Sequence, residues 1–249
     1  MFDRNFDRKS ALCASEAAAV FNVATHGGPR AVWLEKSGAI THDDEGSEYS
    51  VAGNLYEALI IDAAAEALAP FGVTIDERDL TTTRAKHAPW LAATPDARGH
   101  DAAGLVGVEV KTVWSAKSKA TWEAGASPLG YRMQTLHQQA VLCWPRWFLV
   151  GAIMEAKHPS EVVGMVPAFR IEVREVTEPK ALRDRYAAIT GRWWMRHVVE
   201  GTEPMPSPWR RGERSGLNPA DVVERFRAYL VGNGDLDEIS SIRADWLLA

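Results

Sequence analysis

Apolar and polar positions divide the chain into alternating helical and extended segments. Ser15-Glu-Ala-Ala-Ala-Val-Phe predicts a helix start, with Ser15 as the cap and Glu16 in the first turn. Residues 29–36 predict a short second helix stopped by Gly38, and the polar stretch over 41–53 predicts a loop. Residues 54–68 form a strongly amphipathic, alanine-rich pattern, with Leu55, Leu59 and Ala63 expected as the buried stripe. Short apolar runs between turn residues predict strands over 72–75, 80–84, 90–93 and 105–112. A helix follows over 131–142, then strands over 147–154 and 166–173, then a long helix over 179–199. The proline- and arginine-rich stretch after it predicts an exposed arm carrying Arg210, Arg211 and Arg214. A last helix is expected over 219–230, and a short acidic end carries Asp235, Asp237 and Glu238. No internal repeat is visible. This order predicts an α/β fold, a mixed central β-sheet flanked by helices.

Composition narrows the class. The 249 residues are 46% hydrophobic and 24% charged, which supports a large packed core and argues against disorder. A formal charge of −5 excludes a general nucleic-acid coat, so any DNA contact must be local. Cys13 and Cys143 lie among apolar residues and are expected as buried free thiols of a reducing cytosol; two cysteines cannot build a four-thiolate metal site. The charged start MFDRNFDRKS does not resemble a signal peptide. The most apolar stretch is interrupted by Pro145 and Arg146, short of the about 20 residues of a membrane span. A soluble cytoplasmic protein with no membrane partner is the expectation. The histidines show no HxxxH or HxH spacing for zinc, and no phosphate-binding loop of an ATPase occurs.

The chemistry gathers around two segments. Thr94-Pro95-Asp96 ends the 90–93 strand, and thirteen positions after Asp96 comes Glu109-Val110-Lys111 inside the next one. Residues two apart in a strand share a face, so Glu109 and Lys111 project together while Val108 and Val110 face the core. A Glu-x-Lys alone is most often a surface ion pair. A hairpin joining the two strands, however, brings Asp96 beside Glu109, and two close carboxylates repel unless a cation lies between them. Hard oxygen ligands suit Mg²⁺ or Mn²⁺.

Asp, a gap, and Glu-x-Lys resembles the core of the PD-(D/E)xK nuclease superfamily. Four further stretches resemble landmarks of its lambda-type phage exonucleases and YqaJ-like viral recombinases. These are Ala14-Ser15-Glu16, Gly53-Asn54-Leu55-Tyr56-Glu57, Tyr131-Arg132-Met133-Gln134 and WMRHVVEGTEPMP at 194–206, all in family order. Two departures are visible: Ala97 stands where the family often has Gly, and Leu136 stands where many relatives carry a second polar residue.

The resemblance implies a restriction-endonuclease-like core over residues 1–206, with 207–249 as an arm and helix packed on it or on a neighbouring subunit. Asp96 and Glu109 would be metal ligands with the Val110 carbonyl, and Lys111 would be the catalytic lysine. Glu57 would hold a second metal directly or through water, and Gln134 would support the site. Ser15 would contact the phosphate at a DNA end, with Arg8 beside it. The implied activity is Mg²⁺-dependent hydrolysis of linear double-stranded DNA from 5′ ends, with Mn²⁺ able to substitute. The 3′ tails would serve a single-strand annealing protein. A homo-oligomer, trimeric among relatives, and a phage-encoded enzyme in the cytoplasm of a bacterial host are further implications. Two readings stand beside it: an endonuclease of the same fold, and a non-catalytic DNA-binding scaffold. From the residues themselves, Asp101 is a competing ligand. Lys117 and Lys119 are candidate DNA-backbone contacts in a polar loop, and Trp114 or Trp122 a candidate base-stacking surface.

Overall fold

The computed structural model of the protein describes residues 6–24, 27–40, 47–78 and 80–204. The arm, the helix expected over 219–230, the acidic end and the expected domain boundary all lie outside these residues.

In chain order the elements are β1 (Leu12–Cys13), a 3-10 turn at Ala14–Glu16, α1 (Ala17–Val20), α2 (Pro29–Lys36) and α3 (Glu48–Leu68). Then come β2 (Thr74–Arg78), β3 (Thr83–Arg84), β4 (Leu91–Ala93), β5 (Ala97–Asp101) and β6 (Gly104–Val113). They are followed by α4 (Ala116–Glu123), α5 (Leu129–Leu142), β7 (Arg146–Met154), β8 (Phe169–Glu175) and α6 (Lys180–Trp193). A wide helical turn, Trp194–Val199, continues α6.

Five strands form the main sheet in the order β2-β5-β6-β7-β8. Within this sheet β6 and β7 are parallel, and α4 and α5 make the crossover between them. The other pairs are antiparallel. A second, small sheet runs β1-β4-β3. On one face of the main sheet, Val106, Val108, Val110, Phe148 and Val150 pack against Tyr56, Ile60, Ala64 and Leu68 of α3. On the other face, Trp147, Leu149 and Ile153 pack around Trp122 of α4. A third cluster joins α1, α5 and α6 to β4 through Phe21, Leu91, Met133, Leu136, Tyr186 and Trp193. Among the described residues no helix is long and apolar enough to cross a membrane.

Several expectations need correction. Helix α3 starts earlier than expected, because Ser47 caps it by accepting from the Ser50 N–H at 3.3 Å. Its buried stripe is offset by one residue: Tyr56, Ile60 and Ala64 face the sheet, while Leu55 is 68% exposed. Both series repeat every fourth position, and periodicity alone does not choose between them. The expected loop after Lys111 contains α4, capped by Ser115 through the Ser118 N–H. Ser15 is not a cap; the Glu16 carboxylate reaches back to the Cys13 N–H at 2.8 Å, and α1 is a single turn. Cys13 is buried, but Cys143 is exposed, because it ends α5 in the left-handed conformation at φ 56°.

The largest revision concerns the hairpin. Strand β4 belongs to the small sheet, and the partner of β6 is β5, which the 90–93 pattern does not include. Ala-Arg-Gly-His-Asp carries little apolar signal because its inward positions must be small: a Cβ at Gly99 would lie 2.3 Å from the Thr74 carbonyl oxygen of the neighbouring strand. Asp96 therefore begins the hairpin rather than ending the strand before it.

Candidate active site

The site forms where β5 leaves the sheet. Ala97 pairs with Val108, and the chain then diverges at Pro95, which has no N–H to offer a ladder. Asp96 stays beside β6 because its Oδ2 accepts from the Val110 N–H at 2.7 Å. Within a strand, the N–H and C=O of one residue point to the same edge. The Val110 carbonyl thus lies on the edge where Asp96 sits. Beyond Val108 this edge has no β5 partner, so β6 offers an open carbonyl beside a carboxylate.

Glu109 and Lys111 project from the other face, towards α5. Glu109 is only 1% exposed, so a carboxylate in that position needs donors. Three reach it. Lys111 Nζ and Gln134 Nε2 both donate to Oε1, and Gln138 Nε2 donates to Oε2 at 2.5 Å. Gln134 and Gln138 are four apart on α5, the spacing that stacks two side chains on one helix face. Lys111 also lies 5.9 Å from the centre of the Tyr131 ring, a cation–π contact from the same helix. Glu109 forms the buried floor, while Asp96, Lys111, Gln134 and Glu57 are half-buried around it.

Negative charge concentrates around Asp96. Burial, with the nearby charges of Glu109 and Glu57, pushes the Asp96 carboxyl well above the usual carboxylate range despite Lys111 and the Val110 N–H. Burial also works against the Lys111 ammonium, but Glu109 and Asp96 outweigh it and hold its pKa above the ordinary lysine value. Two carboxylates and a carbonyl, all hard oxygen donors, fit a divalent cation such as Mg²⁺, which fills its remaining positions with water. Glu57 acts on Asp96 through space from α3. It does not close a three-carboxylate set: among the described residues no three His, Cys, Asp or Glu side chains group at metal-binding distance.

Arg8 and Ser15 also come together, at the N-terminal turn. Arg8 Nη2 donates to Ser15 Oγ at 3.4 Å and to Glu16 Oε1 at 3.2 Å. Buried Lys36 locks the same glutamate, donating to Oε1 at 2.7 Å and to the Arg8 carbonyl at 2.6 Å. Ser15 itself is exposed.

Other candidates fall away from the site. Asp101 sits at the hairpin tip, accepting from the Ala103 and Gly104 N–H groups and pairing with Arg146 at 2.9 Å. Trp114 and Trp122 are 5% and 0% exposed, so neither offers a face to a base. Lys119 spends a donor on the Ala156 carbonyl at 3.1 Å, whereas Lys117 stands exposed on α4. Gln138 is a contact to Glu109 that the sequence alone does not assign. Its signal was the i, i+4 spacing from Gln134 on the face that carries the site.

A mixed sheet flanked by helices, with Asp96, Glu109 and Lys111 gathered at the mouth of its central hairpin, is the restriction-endonuclease-like fold. Residues 6–142 match the YqaJ-like viral recombinase domain, and the chain belongs to that family. No protein of curated function matches it by sequence. Among solved structures, an alkaline exonuclease from Laribacter hongkongensis aligns with a TM-score of 0.54 at 14% identity, over 78% of this chain and 90% of that one. The same exonuclease in complex with dAMP aligns at 0.55, with the same identity and coverage. A phage-related exonuclease from Haemophilus somnus 129PT aligns at 0.50 and 10% identity, over 77% of this chain and 96% of that one. At these identities the likeness establishes the fold.

Proposed function

We propose that the protein is a deoxyribonuclease that hydrolyses linear double-stranded DNA from 5′ ends and leaves 3′ single-stranded tails. It uses Mg²⁺, with Mn²⁺ able to substitute. The observation that carries the reading is the convergence of Asp96 and Glu109, which repel each other, with Lys111 held between Glu109 and the Tyr131 ring. Asp96, Glu109 and the Val110 carbonyl would hold the cation, and Glu57 would assist through water. When bound, the cation neutralises phosphate charge and lowers the pKa of an attacking water. Lys111 supplies a fixed positive charge for the phosphate oxygens as negative charge builds on them. Gln134 keeps Glu109 and Lys111 in register, since it shares Oε1 with the ammonium.

Arg8 and the exposed hydroxyl of Ser15 would bind the terminal phosphate, with Lys36 and Glu16 fixing the guanidinium. The alkaline exonuclease from L. hongkongensis is known in complex with dAMP, the class of product that stepwise hydrolysis releases, which supports the same chemistry here. Family membership supports a role in phage-type recombination beside a single-strand annealing protein, in the cytoplasm of a bacterial host. A homo-oligomer is part of the proposal; Val51, Leu55, Val163, Met165 and Val166 are exposed apolar residues available for such contacts.

The test uses linear duplex DNA labelled at one 5′ end or one 3′ end, with Mg²⁺ or with EDTA. Early release of labelled mononucleotide from the 5′ end, only with Mg²⁺ and lost in Lys111→Ala, is the expected result. Early release from the 3′ label would overturn the polarity, and activity in EDTA would overturn the metal requirement.

A further inference from the structure

Helix α5 buries two consecutive glutamines, Gln138 and Gln139, with no exposed surface on either. They use their amides differently. Gln139 is satisfied at both ends by backbone: Nε2 donates to the Val176 carbonyl at 3.0 Å, and Oε1 accepts from the Glu178 N–H at 2.6 Å. It ties α5 to the segment after β8. Gln138 donates Nε2 to Glu109 Oε2 at 2.5 Å, while its Oε1 is buried without a hydrogen-bond partner among the described residues.

Flipping the amide does not help, because Oε1 would then face a carboxylate oxygen and two acceptors would meet. The orphan oxygen is thus a consequence of Gln138 serving Glu109. Such an acceptor is costly in an interior unless a donor reaches it. Each carboxylate oxygen accepts at about two positions. Among the described residues, Glu109 Oε1 already receives both Lys111 and Gln134, whereas Oε2 receives Gln138 alone. Oε2 is therefore the oxygen with room for a further partner, and Gln138 stands beside it.

We infer that Gln138 is a positioning residue for divalent-cation binding: Nε2 anchors Glu109 so that the remaining position on Oε2 serves the cation, and Oε1 accepts from a water that accompanies it. This rests on the cation-binding reading of Asp96 and Glu109 given above. Mg²⁺ dehydrates reluctantly and keeps several waters when bound, and one of these would supply the donor that Oε1 lacks. Partners of this kind, one bond removed from the metal, typically change its affinity by about 10–100-fold.

The experiment is a calorimetric Mn²⁺ titration of the full chain as wild type, Gln138→Leu, Gln138→Met and Gln139→Leu, with thermal melts in EDTA. The Gln138 variants are expected to weaken Mn²⁺ binding at least about tenfold. Gln139→Leu should lower the melting temperature and leave Mn²⁺ affinity within about threefold of wild type, below that range. A Gln138→Met protein that binds Mn²⁺ like wild type overturns the inference and leaves the cation site standing. Wild type that binds Mn²⁺ no better than Asp96→Asn overturns the cation site itself. A measurement free of variants runs alongside: Mg²⁺ titrated into the wild type should shift the side-chain amide resonances of Gln138 and not those of Gln139. Equal shifts, or none at Gln138 at saturating Mg²⁺, count against the role.

Discussion

Lowering the pH from about 7 to about 4.5 is expected to weaken the fold through His137, which sits on α5 one position before Gln138. The imidazole has no exposed surface. Nε2 is 3.0 Å from the Ala92 carbonyl and must carry the proton there, while Nδ1 accepts from the Tyr186 hydroxyl at 2.8 Å. Burial dominates, with Lys36 adding to it, and the pKa falls from 6.5 to about 4 despite the backbone carbonyl. A folded-state pKa below the unfolded value means that the unfolded chain binds the extra proton. The stabilisation is fully present above about pH 6.5 and is lost as pH falls towards about 4. A shift of this size corresponds to about 3 kcal/mol at most, a sizeable share of a typical domain's stability. Asp96 works in the opposite sense, since its raised pKa means that protonation relieves repulsion in the folded state. The comparison must therefore be made between variants. Urea unfolding of wild type and His137→Gln across this range should show a steeper loss in wild type, with the two curves converging by about 2 kcal/mol as pH falls to about 4.5. Parallel curves would refute the assignment of a buried neutral His137.

Gly151→Ala should destabilise the protein by about 1–3 kcal/mol in urea unfolding, because the added Cβ would lie 2.9 Å from the Trp122 ring. Lys111→Met should lower kcat on linear DNA by about 10²-fold or more, since a fixed charge next to the reacting phosphate is lost; an unchanged kcat contradicts its role. Arg8→Gln should reduce the preference for a 5′-phosphate over a 5′-hydroxyl end by about tenfold, with hydrolysis of the 5′-hydroxyl substrate unaffected. Leu55→Asp should shift the mass measured by light scattering towards the monomer, given a side chain that is 68% exposed; an unchanged mass places the subunit contact elsewhere.

The Glu-x-Lys pair was legible because period-two alternation in a strand separates Val108 and Val110 from Glu109 and Lys111, and the packing follows it. Asp96 was legible as a neighbour of Glu109, but not the route by which it gets there. Strand β5 is built from small and polar residues, since its neighbour β2 approaches to the distance that Gly99 permits. Helix α4 was hidden for a related reason: only Thr121 and Trp122 of its eight residues are buried, which is too little for an apolar stripe. Trp122 misled as a candidate for base stacking because its burial depends on a small partner far away in the chain, Gly151. Helix periodicity placed Gln134 on a helix, but the second glutamine needed a phase: only the packing of Met133, Leu136 and Ala140 shows which side of α5 faces inward.

The central claim is that Asp96, Glu109 and Lys111 form a metal-dependent site that consumes DNA from an end. The measurement that tests it most directly incubates the protein with 5′-phosphorylated linear duplex and closed circular DNA side by side, with Mg²⁺ and with EDTA, for wild type and Asp96→Asn. Mononucleotides released from the linear DNA alone, only with Mg²⁺ and only by wild type, are the predicted result. Cutting of the circle would indicate an endonuclease, and bound but intact DNA in every reaction would mean that the fold serves as a scaffold and the site does no chemistry.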